Sequence, residues 1–588
     1  MSRRLDLRLG LLLTVIALWA VAIGWKLSVL QVSDHEEYRA RAQKQQRTSV
    51  DLEPPRGTVY DARGRELAVS VEVDSAWADP RRVRAEADPG EVALAIAELT
   101  GADPEVLAAR LASDREFVFL ARQLDLPQAQ AVADLGIPGV SFVKEYKRYY
   151  PMGELAAQVI GYAGIDQQGL AGLEHLYENR VAGREGSKTL LRDAGGRTAA
   201  TPFLASTGAA ARPGASLHLT LDATIQRIAE RELVRGVESS SAARGSVVIL
   251  DPGSGAILAM ASYPPLDANR FPEFYGTERT RNLPVTAAYE PGSTFKMVTA
   301  AAALTGNVLD PTDELECQMG AIELYGVRIR DHHPFGRLSL RQVIAKSSNV
   351  GAIKTGLAAG DEGLFAAVEA FGFGHTTGVD LPGENPGELA PLENWRRWPL
   401  TKAYVSFGQG ISVTPLQLTR AFAAVANGGE LLRPYVVEAV TAADGDAVER
   451  TERLVDGRPV SAATARELER MLEAVVTEGT GKRAAVPGYA VAGKTGTAQK
   501  AVDGAYSATK FVASFTGFVP ARRPALVMTV VIDEPWPRYH GGDVAAPVFS
   551  AIAEPVLLYL GVPPDAEADP DLPRFELAQA VDAGGPPA

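Results

Sequence analysis

Residues 9–25, LGLLLTVIALWAVAIGW, carry no charge. Helices of about 20 apolar residues are what a bilayer's hydrocarbon core requires. Lys26 interrupts the run, but LSVLQV continues it, so a span over residues 9–30 is expected, with 1–8 as a short tail. The competing reading is a cleaved signal peptide with Ala20-Val21-Ala22 at the cut. The run is longer than the apolar core of such peptides, about 7–15 residues, and apolar sequence continues past that cut. Both points favour an uncleaved anchor. Charge does not orient it: Arg3, Arg4 and Arg8 precede the span, while Lys26, Arg39, Arg41 and Lys44 follow it. Long domains cross membranes largely regardless of such counts, so the side on which the body lies must come from its chemistry.

The body is too long for one core. At 588 residues, two or more domains are expected. A net charge of −13 with no block of Lys and Arg argues against a nucleic-acid groove. A single cysteine, Cys317, excludes a disulfide framework and any multi-cysteine zinc site. No G-x-G-x-x-G and no Walker loop occurs, and no cofactor is called for. Residues 33–48 form a polar helical stretch. RGTVYDARGRELAVSV reads as strand, turn and strand about Arg63-Gly64. Ala-rich helices are expected over Pro89–Leu99, Pro104–Leu111 and Pro127–Leu135, and loops with a hairpin over 188–216.

A second unit begins near Leu219. Asp222 is placed to cap a helix, and RGSVVILDPGSGAILAMASYP reads as a hairpin. Helical stretches dominate 293–306 and 339–358. YAVAGKTGTAQ, FVASFTGFVP and ALVMTVVIDEP give three strands, followed by a last helix. Strands at both ends with helices between them describe an α+β domain whose first and last strands share one sheet. The expected division is a tail at 1–8, an anchor at 9–30, a pedestal at 31–218, a catalytic domain at 219–561, and an acidic, Pro-rich, disordered tail at 562–588.

The chemistry centres on YEPGSTFKM, residues 289–297. Ser293 and Lys296 stand three apart, so a helix would put them on one face. A serine hydroxyl needs a base within hydrogen-bond reach, and a lysine serves only when burial or a neighbouring cation lowers its pKa. Alone, the pair reads more readily as a helix-start serine with a solvated lysine than as a nucleophile with its base. Two further motifs follow in order. Ser347-Ser348-Asn349 begins 54 residues downstream of Ser293, and Lys494-Thr495-Gly496 begins 201 residues downstream. S-x-x-K, S-[D/S]-N and K-T-G in this order mark serine acyl-transfer sites of the β-lactamase and penicillin-binding type. Lys354-Thr355-Gly356 is a decoy, because it falls in a helical pattern and the role needs a strand edge.

With these motifs, the chain resembles a class B penicillin-binding protein, most closely the division-specific (septal) kind. RGTVYDARGRELA (Arg56, Gly57, Asp61, Arg63, Gly64), RYYPMGELAAQVIGYAG and GLAGLE (Gly172-Leu173-Glu174) are similar to its pedestal. EPGSTFK, KSSNVG, SFGQGISVTPLQL, VAGKTGTAQK and YHGGDVAAPVF are similar to its catalytic domain. The resemblance implies a single transmembrane helix, an elongated pedestal, and a transpeptidase domain with a mainly antiparallel sheet flanked by helices. It implies that Ser293 attacks the penultimate D-alanine of a peptidoglycan stem peptide and that Lys296 takes its proton. Ser347 and Asn349 would relay protons and hold the peptide amide. Lys494 and Thr495 would bind the terminal carboxylate, with Thr495, Gly496 and Thr497 forming the substrate-binding strand. The backbone N–H groups of Ser293 and Thr497 would form the oxyanion hole. β-Lactams would acylate Ser293. The implied setting is the inner membrane, with the N-terminus cytoplasmic and the catalytic domain periplasmic at the division site. There it would meet lipid-linked precursor strands, a glycosyltransferase of the shape, elongation, division and sporulation (SEDS) family, and other division proteins. No glycosyltransferase domain precedes the pedestal, so polymerisation is expected from that partner.

Other residues compete. Glu388 and Glu393-Asn394 lie where a serine β-lactamase keeps a deacylating Glu, but a surface loop is the expected reading. Cys317, Asp331, His332 and His333 are residue types that ligate zinc, but adjacent histidines diverge, and a lone cysteine is usually a small buried hydrophobe. Trp395 and Trp398 are expected to pack in the core or a groove. The rival functions are an elongation-type transpeptidase, an antibiotic hydrolase or sensor, and a non-catalytic scaffold.

Overall fold

The computed structural model describes residues 2–39, 47–191, 209–443, 445, 448–502 and 505–565. The expected loop at 192–208 and most of the acidic tail lie outside them. Chain contacts separate two units. One holds residues 1–55 with 183–213, and the other holds 56–182 with the chain from 214 onward.

In the first unit the apolar run is one helix, Ser2–Ser28, which continues as a wider-wound turn, Val29–Ser33. Lys26 does not break it. An 18-residue stretch within residues 6–33 has a mean hydropathy of 2.2 and none of it is buried, as a membrane anchor requires. Helix extends to residue 39. By residue 47 the chain is a strand, Arg47–Leu52, paired antiparallel with Gly186–Leu191, so the polar helix expected over 33–48 stops short.

The second unit is built on two sheets. One has five antiparallel strands in the order Ala492–Val502, Ala505–Val519, Leu526–Asp533, Arg244–Leu250, Ile257–Tyr263. The first and last strands of the domain therefore share one sheet, as expected. Leu526–Asp533 and Arg244–Leu250 are apolar on both faces because both faces are covered. Val248 and Leu250 point to helices Lys296–Thr305, Pro415–Ala426 and Ala462–Thr477. Val247 and Ile249 point to helices Ala223–Ser239 and Gly541–Tyr559. Gly541–Tyr559 is apolar enough to cross a membrane, but over half of its apolar stretch is buried in this core.

The other sheet has seven strands. Glu66–Ala78 is central, pairing with Val118–Leu124, with Val140–Tyr149 and with Val59–Tyr60. Val59–Tyr60 pairs parallel with Ser216–Leu219. That strand pairs with Val437–Thr441, which in turn pairs with Val448–Arg450. Helices Pro80–Glu86, Pro89–Thr100, Pro104–Ala112 and Leu126–Asp134 each begin after an aspartate cap (Asp79, Asp88, Asp103, Asp125) with proline in the first turn. The aspartate accepts otherwise unsatisfied N–H groups, and proline lacks only a donor that the helix start does not use.

The Arg-Gly signature near residue 56 is structural. Arg56 bonds to Glu174 at 2.7 Å and Glu178 at 2.8 Å, and Arg148 holds the other Glu174 oxygen at 2.6 Å. Burial alone would raise the Glu174 pKa, but Arg148 and Arg56 hold it below its usual range. Asp61 accepts from Ala223 N–H, while Arg63 and Arg65 grip Asp222, the cap of helix Ala223–Ser239. Tyr559, at the end of the last helix, donates to the same aspartate. Two sequence signatures 118 residues apart thus form one buried ion network. Glu174→Ala leaves the buried Arg148 without its counter-charge and Arg56 with only the partly exposed Glu178, a loss of about 3–5 kcal/mol. Its melting temperature should fall clearly below that of the wild type in a thermal unfolding scan, with Glu178→Ala falling less.

Candidate active site

Ser293 lies in a 3₁₀ turn, Gly292–Phe295, that runs directly into helix Lys296–Thr305. No side chain caps that start, so the half-buried Ser293 hydroxyl is not spent on the helix. It therefore departs from the ordinary helix-start serine. Gly292 has φ +55, in the left-handed region. Its peptide meets another glycine: Gly292 N–H donates to Gly408 O at 2.9 Å, and a Cβ on Gly408 would fall 2.0 Å from Gly292 O. That contact gives the SFGQG segment its place in the site.

Lys296 is completely buried. Its Nζ donates to Ser347 O at 2.7 Å, to Asn349 Oδ1 at 2.8 Å and to Ser347 Oγ at 3.2 Å. Burial lowers its pKa to about 7, against the opposing pull of Asp331. Lys494, equally buried, reaches the same Ser347 Oγ at 3.0 Å. Burial, then the neighbouring Lys296, drives its pKa well down. Two ammonium groups cannot share this interior, so the pair sheds a proton near neutral pH. A neutral lysine beside a hydroxyl is a base with a proton path already in place.

Ser347 reaches both lysines because of its backbone. It ends helix Leu340–Lys346 in the left-handed region, φ 62 and ψ 37. That costs a non-glycine residue about 1–2 kcal/mol. Ser348, fully buried, accepts from Gly351 N–H at 2.9 Å and caps helix Asn349–Ala370. Asn349 Nδ2 donates to Arg330 O at 3.0 Å, which leaves its Oδ1 to face Lys296.

Lys494, Thr495, Gly496 and Thr497 lie on Ala492–Val502, the edge strand of the five-stranded sheet. An edge strand offers free N–H and C=O groups to an added peptide strand. Gly496 has a steric reason: a Cβ there would lie 2.3 Å from Ser514 Oγ and 2.9 Å from Pro291 O. The strand thus lies against the turn that carries Ser293. A Cβ on Gly541 would fall 2.2 Å from Gly496 O, which accounts for the YHGGDV segment. Gly541 N–H donates to Thr497 Oγ1 at 3.1 Å, leaving the Thr497 hydroxyl proton to give. Thr495 is buried, and its hydroxyl is shared with Thr480 at 2.7 Å.

The structure thus brings Lys296, Ser347, Asn349 and Lys494 into one hydrogen-bonded cluster, with the Ser293 turn packed on the Gly496–Thr497 strand. The decoy Lys354-Thr355-Gly356 is inside a helix; Lys354 Nζ bonds to Glu316 O and Thr355 Oγ1 to Gly351 O. Glu388 is exposed and bridges to Ser412 through its backbone, and Glu393 is exposed on a short helix. Trp395 is core, edge-on to Phe365, but Trp398 is 63 % exposed and not packed away as expected. Cys317 belongs to a buried cluster with Ile322 and Ile329. His333 stacks edgewise on Phe335, and His332 on His540. Asp331, weighed only as a metal ligand from sequence, instead caps the helix that begins at Asn349. No local sequence signal pairs it with that motif, because the two are 18 residues apart with a helix between them. Glu290 was also missed: it accepts from Gly410 N–H at 2.8 Å and Tyr506 Oη at 2.9 Å beside the serine turn.

Residues 245–554, more than half of the chain, match the penicillin-binding protein transpeptidase domain. Residues 51–219 match the penicillin-binding protein dimerisation domain. The chain belongs to the class B penicillin-binding proteins. It is 33% identical over 597 residues to the peptidoglycan D,D-transpeptidase FtsI of Escherichia coli, covering 99% of this chain and 96% of that one. It is 35% identical over 547 residues to stage V sporulation protein D of Bacillus subtilis, covering 92% and 84%. The crystal structure of penicillin-binding protein 3 of Mycobacterium tuberculosis with aztreonam superposes with a TM-score of 0.69 at 29% identity, covering 88% and 98%. The chain thus has an apolar N-terminal helix, a dimerisation domain and a transpeptidase domain.

Two outcomes follow for this class B site. Acylation of the wild type by a penicillin should rise with pH through about 7, as Lys296 gives up its proton. Stopped-flow rates between pH 5 and 9 would show this as a limb rising from the acid side. Gly496→Ala forces the edge strand off the Pro291 turn. It should cut the acylation rate at least about 100-fold while far-UV circular dichroism stays unchanged.

Proposed function

We propose that this chain is a membrane-anchored peptidoglycan D,D-transpeptidase that acts outside the cytoplasmic membrane with the cell-division apparatus. The observation that carries the reading is the meeting of three separate motifs at one hydroxyl, Ser347 Oγ, within reach of Lys296 and Lys494. Such a cluster activates a serine and shuttles its proton; it has no evident structural use, since burying two lysines is costly.

In the proposed reaction Ser293 Oγ attacks the carbonyl carbon of the penultimate D-alanine in a stem peptide. Its proton passes to neutral Lys296. The oxyanion faces the backbone N–H groups of Ser293 and Thr497, each worth about 3 kcal/mol in sites of this kind. The C–N bond then breaks, and the terminal D-alanine leaves with the proton through Ser347. Lys494, Thr495 and Thr497 hold its carboxylate from binding until release, and that charge favours a Lys494 ammonium that takes its proton from solvent. The amine of a second stem peptide attacks the ester and gives up one proton to Lys296, which passes it to the Ser293 oxygen as the ester C–O bond breaks and the cross-link forms. A β-lactam enters as a substrate mimic and stays on Ser293.

The septal placement is supported by the likeness to FtsI, a peptidoglycan D,D-transpeptidase, across nearly the whole chain. The helix from Ser2 anchors the N-terminus, which this reading puts in the cytoplasm, so that the catalytic domain meets lipid-linked strands made by a SEDS-type glycosyltransferase partner. Mass spectrometry of the penicillin-treated protein should find one adduct, on Ser293, and none in Ser293→Ala. An adduct elsewhere, or rapid hydrolysis of the drug, overturns the reading. Depletion in cells carrying a fluorescent fusion should give filaments with mid-cell signal. Rounded cells with lateral signal would reassign the chain to elongation.

A further inference from the structure

The hairpin Ala321–Leu324/Val327–Arg330 lies outside all three motifs, yet its end grips the second of them from two sides. Arg330 O accepts from Asn349 Nδ2 at 3.0 Å. Asp331 Oδ2 accepts from Ser348 Oγ at 2.7 Å. Asp331 Oδ1 accepts from Asn349 N–H and from Val350 N–H, the latter at 3.0 Å. One carboxylate therefore caps the helix that starts at Asn349, and the carbonyl before it turns the Asn349 amide so that its oxygen meets Lys296 at 2.8 Å.

We propose that Asp331 is a positioning residue of the acyl-transfer site, holding the Ser348-Asn349 corner in register with Lys296 and setting how tightly Lys296 keeps its proton. The inference rests on the serine acyl-transfer reading of the site. A helix start is already electropositive, and a carboxylate there is ordinarily only a cap. What separates Asp331 from an ordinary cap is the group on the other side of Asn349. Lys296 is buried, and Asp331 is the acid whose charge acts on it, favouring the ammonium. The other groups that face Lys296 do not supply a negative charge. They are Lys494, the Ser347 hydroxyl and carbonyl, the Asn349 amide and His332, which is itself set edge-on to His540 at 5.4 Å. Asp331 thus opposes the burial that makes Lys296 a base, and keeps that base from losing its proton too readily.

The sign of the consequence is definite. Asp331→Asn keeps the shape and one acceptor oxygen for the Asn349 and Val350 N–H groups, exchanges the other for an NH2 donor, and removes the charge, so the Lys296 ammonium loses support. Neutral Lys296 then persists to lower pH. The test measures acylation of the full-length, detergent-solubilised protein by a fluorescent penicillin from pH 5 to 9. For Asp331→Asn the acid limb should move down by about 1 pH unit relative to the wild type, with the plateau reduced. Asp331→Glu keeps the charge but displaces it by a methylene. Its limb should stay near that of the wild type while its plateau falls. Ser348→Ala, which loses the bonds to Asp331 and from Gly351 N–H but no charge, should also lower the plateau without moving the limb. An unmoved limb in Asp331→Asn, or an equal shift in Asp331→Glu, overturns the proposal and reduces Asp331 to a helix cap. Failure of the wild type to label on Ser293 at any pH would instead sink the acyl-transfer reading, and so separates the two.

Discussion

Two lysines buried against one hydroxyl are the constraint around which the catalytic domain is arranged. Neither Lys296 nor Lys494 has any exposed surface. A buried ammonium without a paired carboxylate is costly, so the fold must either satisfy each Nζ or let it give up its proton. It does both. The Ser347 carbonyl, the Ser347 hydroxyl and the Asn349 amide take the Lys296 donors, and burial lowers both lysines. The left-handed backbone of Ser347 follows from the same need. An ordinary helical φ would turn its carbonyl and hydroxyl away from the two lysines.

The scaffold makes this arrangement rigid by letting backbones touch. Gly292 against Gly408, Gly496 against the Pro291 turn, and Gly541 against Gly496 each leave no room for a Cβ. The serine turn, the edge strand and the start of the last helix are therefore locked together without intervening side chains. Far from the serine, the Arg56–Glu174–Arg148 network holds the pedestal segments together, and the Asp61–Arg65–Asp222 contacts with Tyr559 tie the neighbouring seven-stranded sheet to the first and last helices of the catalytic domain. The strands Val437–Thr441 and Val448–Arg450, late in the chain, complete that sheet. Pedestal and catalytic elements are thus interleaved in structure more than their order in sequence would indicate.

Much of this was legible beforehand, for physical reasons that act locally. The membrane helix is a matter of length and charge. The Asp-Pro helix starts near residues 79, 88, 103 and 125 are capping chemistry within four residues, although the first of these helices was not anticipated. The antiparallel hairpins at the two ends of the catalytic domain show in runs of apolar β-formers. Three motifs in order were enough to read Ser293, Lys296, Ser347, Asn349 and Lys494 as one site. The misses are of another kind. Trp398 looks like core but stands exposed, because only its neighbour Trp395 faces Phe365. Asp331 and Glu290 act through groups distant in the chain, and no spacing rule reaches them.

The sequence by itself determined the apolar N-terminal helix and the α+β class and supplied the three motifs from which the reacting groups are proposed, since each of these depends on composition or spacing within a short window. Tertiary structure alone decided how those groups work. It removed water from Lys296 and Lys494, turned Ser347 toward both, brought Asp331 in from a hairpin to hold Asn349, and pressed Gly496 onto the serine's turn. Proton affinity and close approach are set by what surrounds a residue in space, and chain order does not encode them.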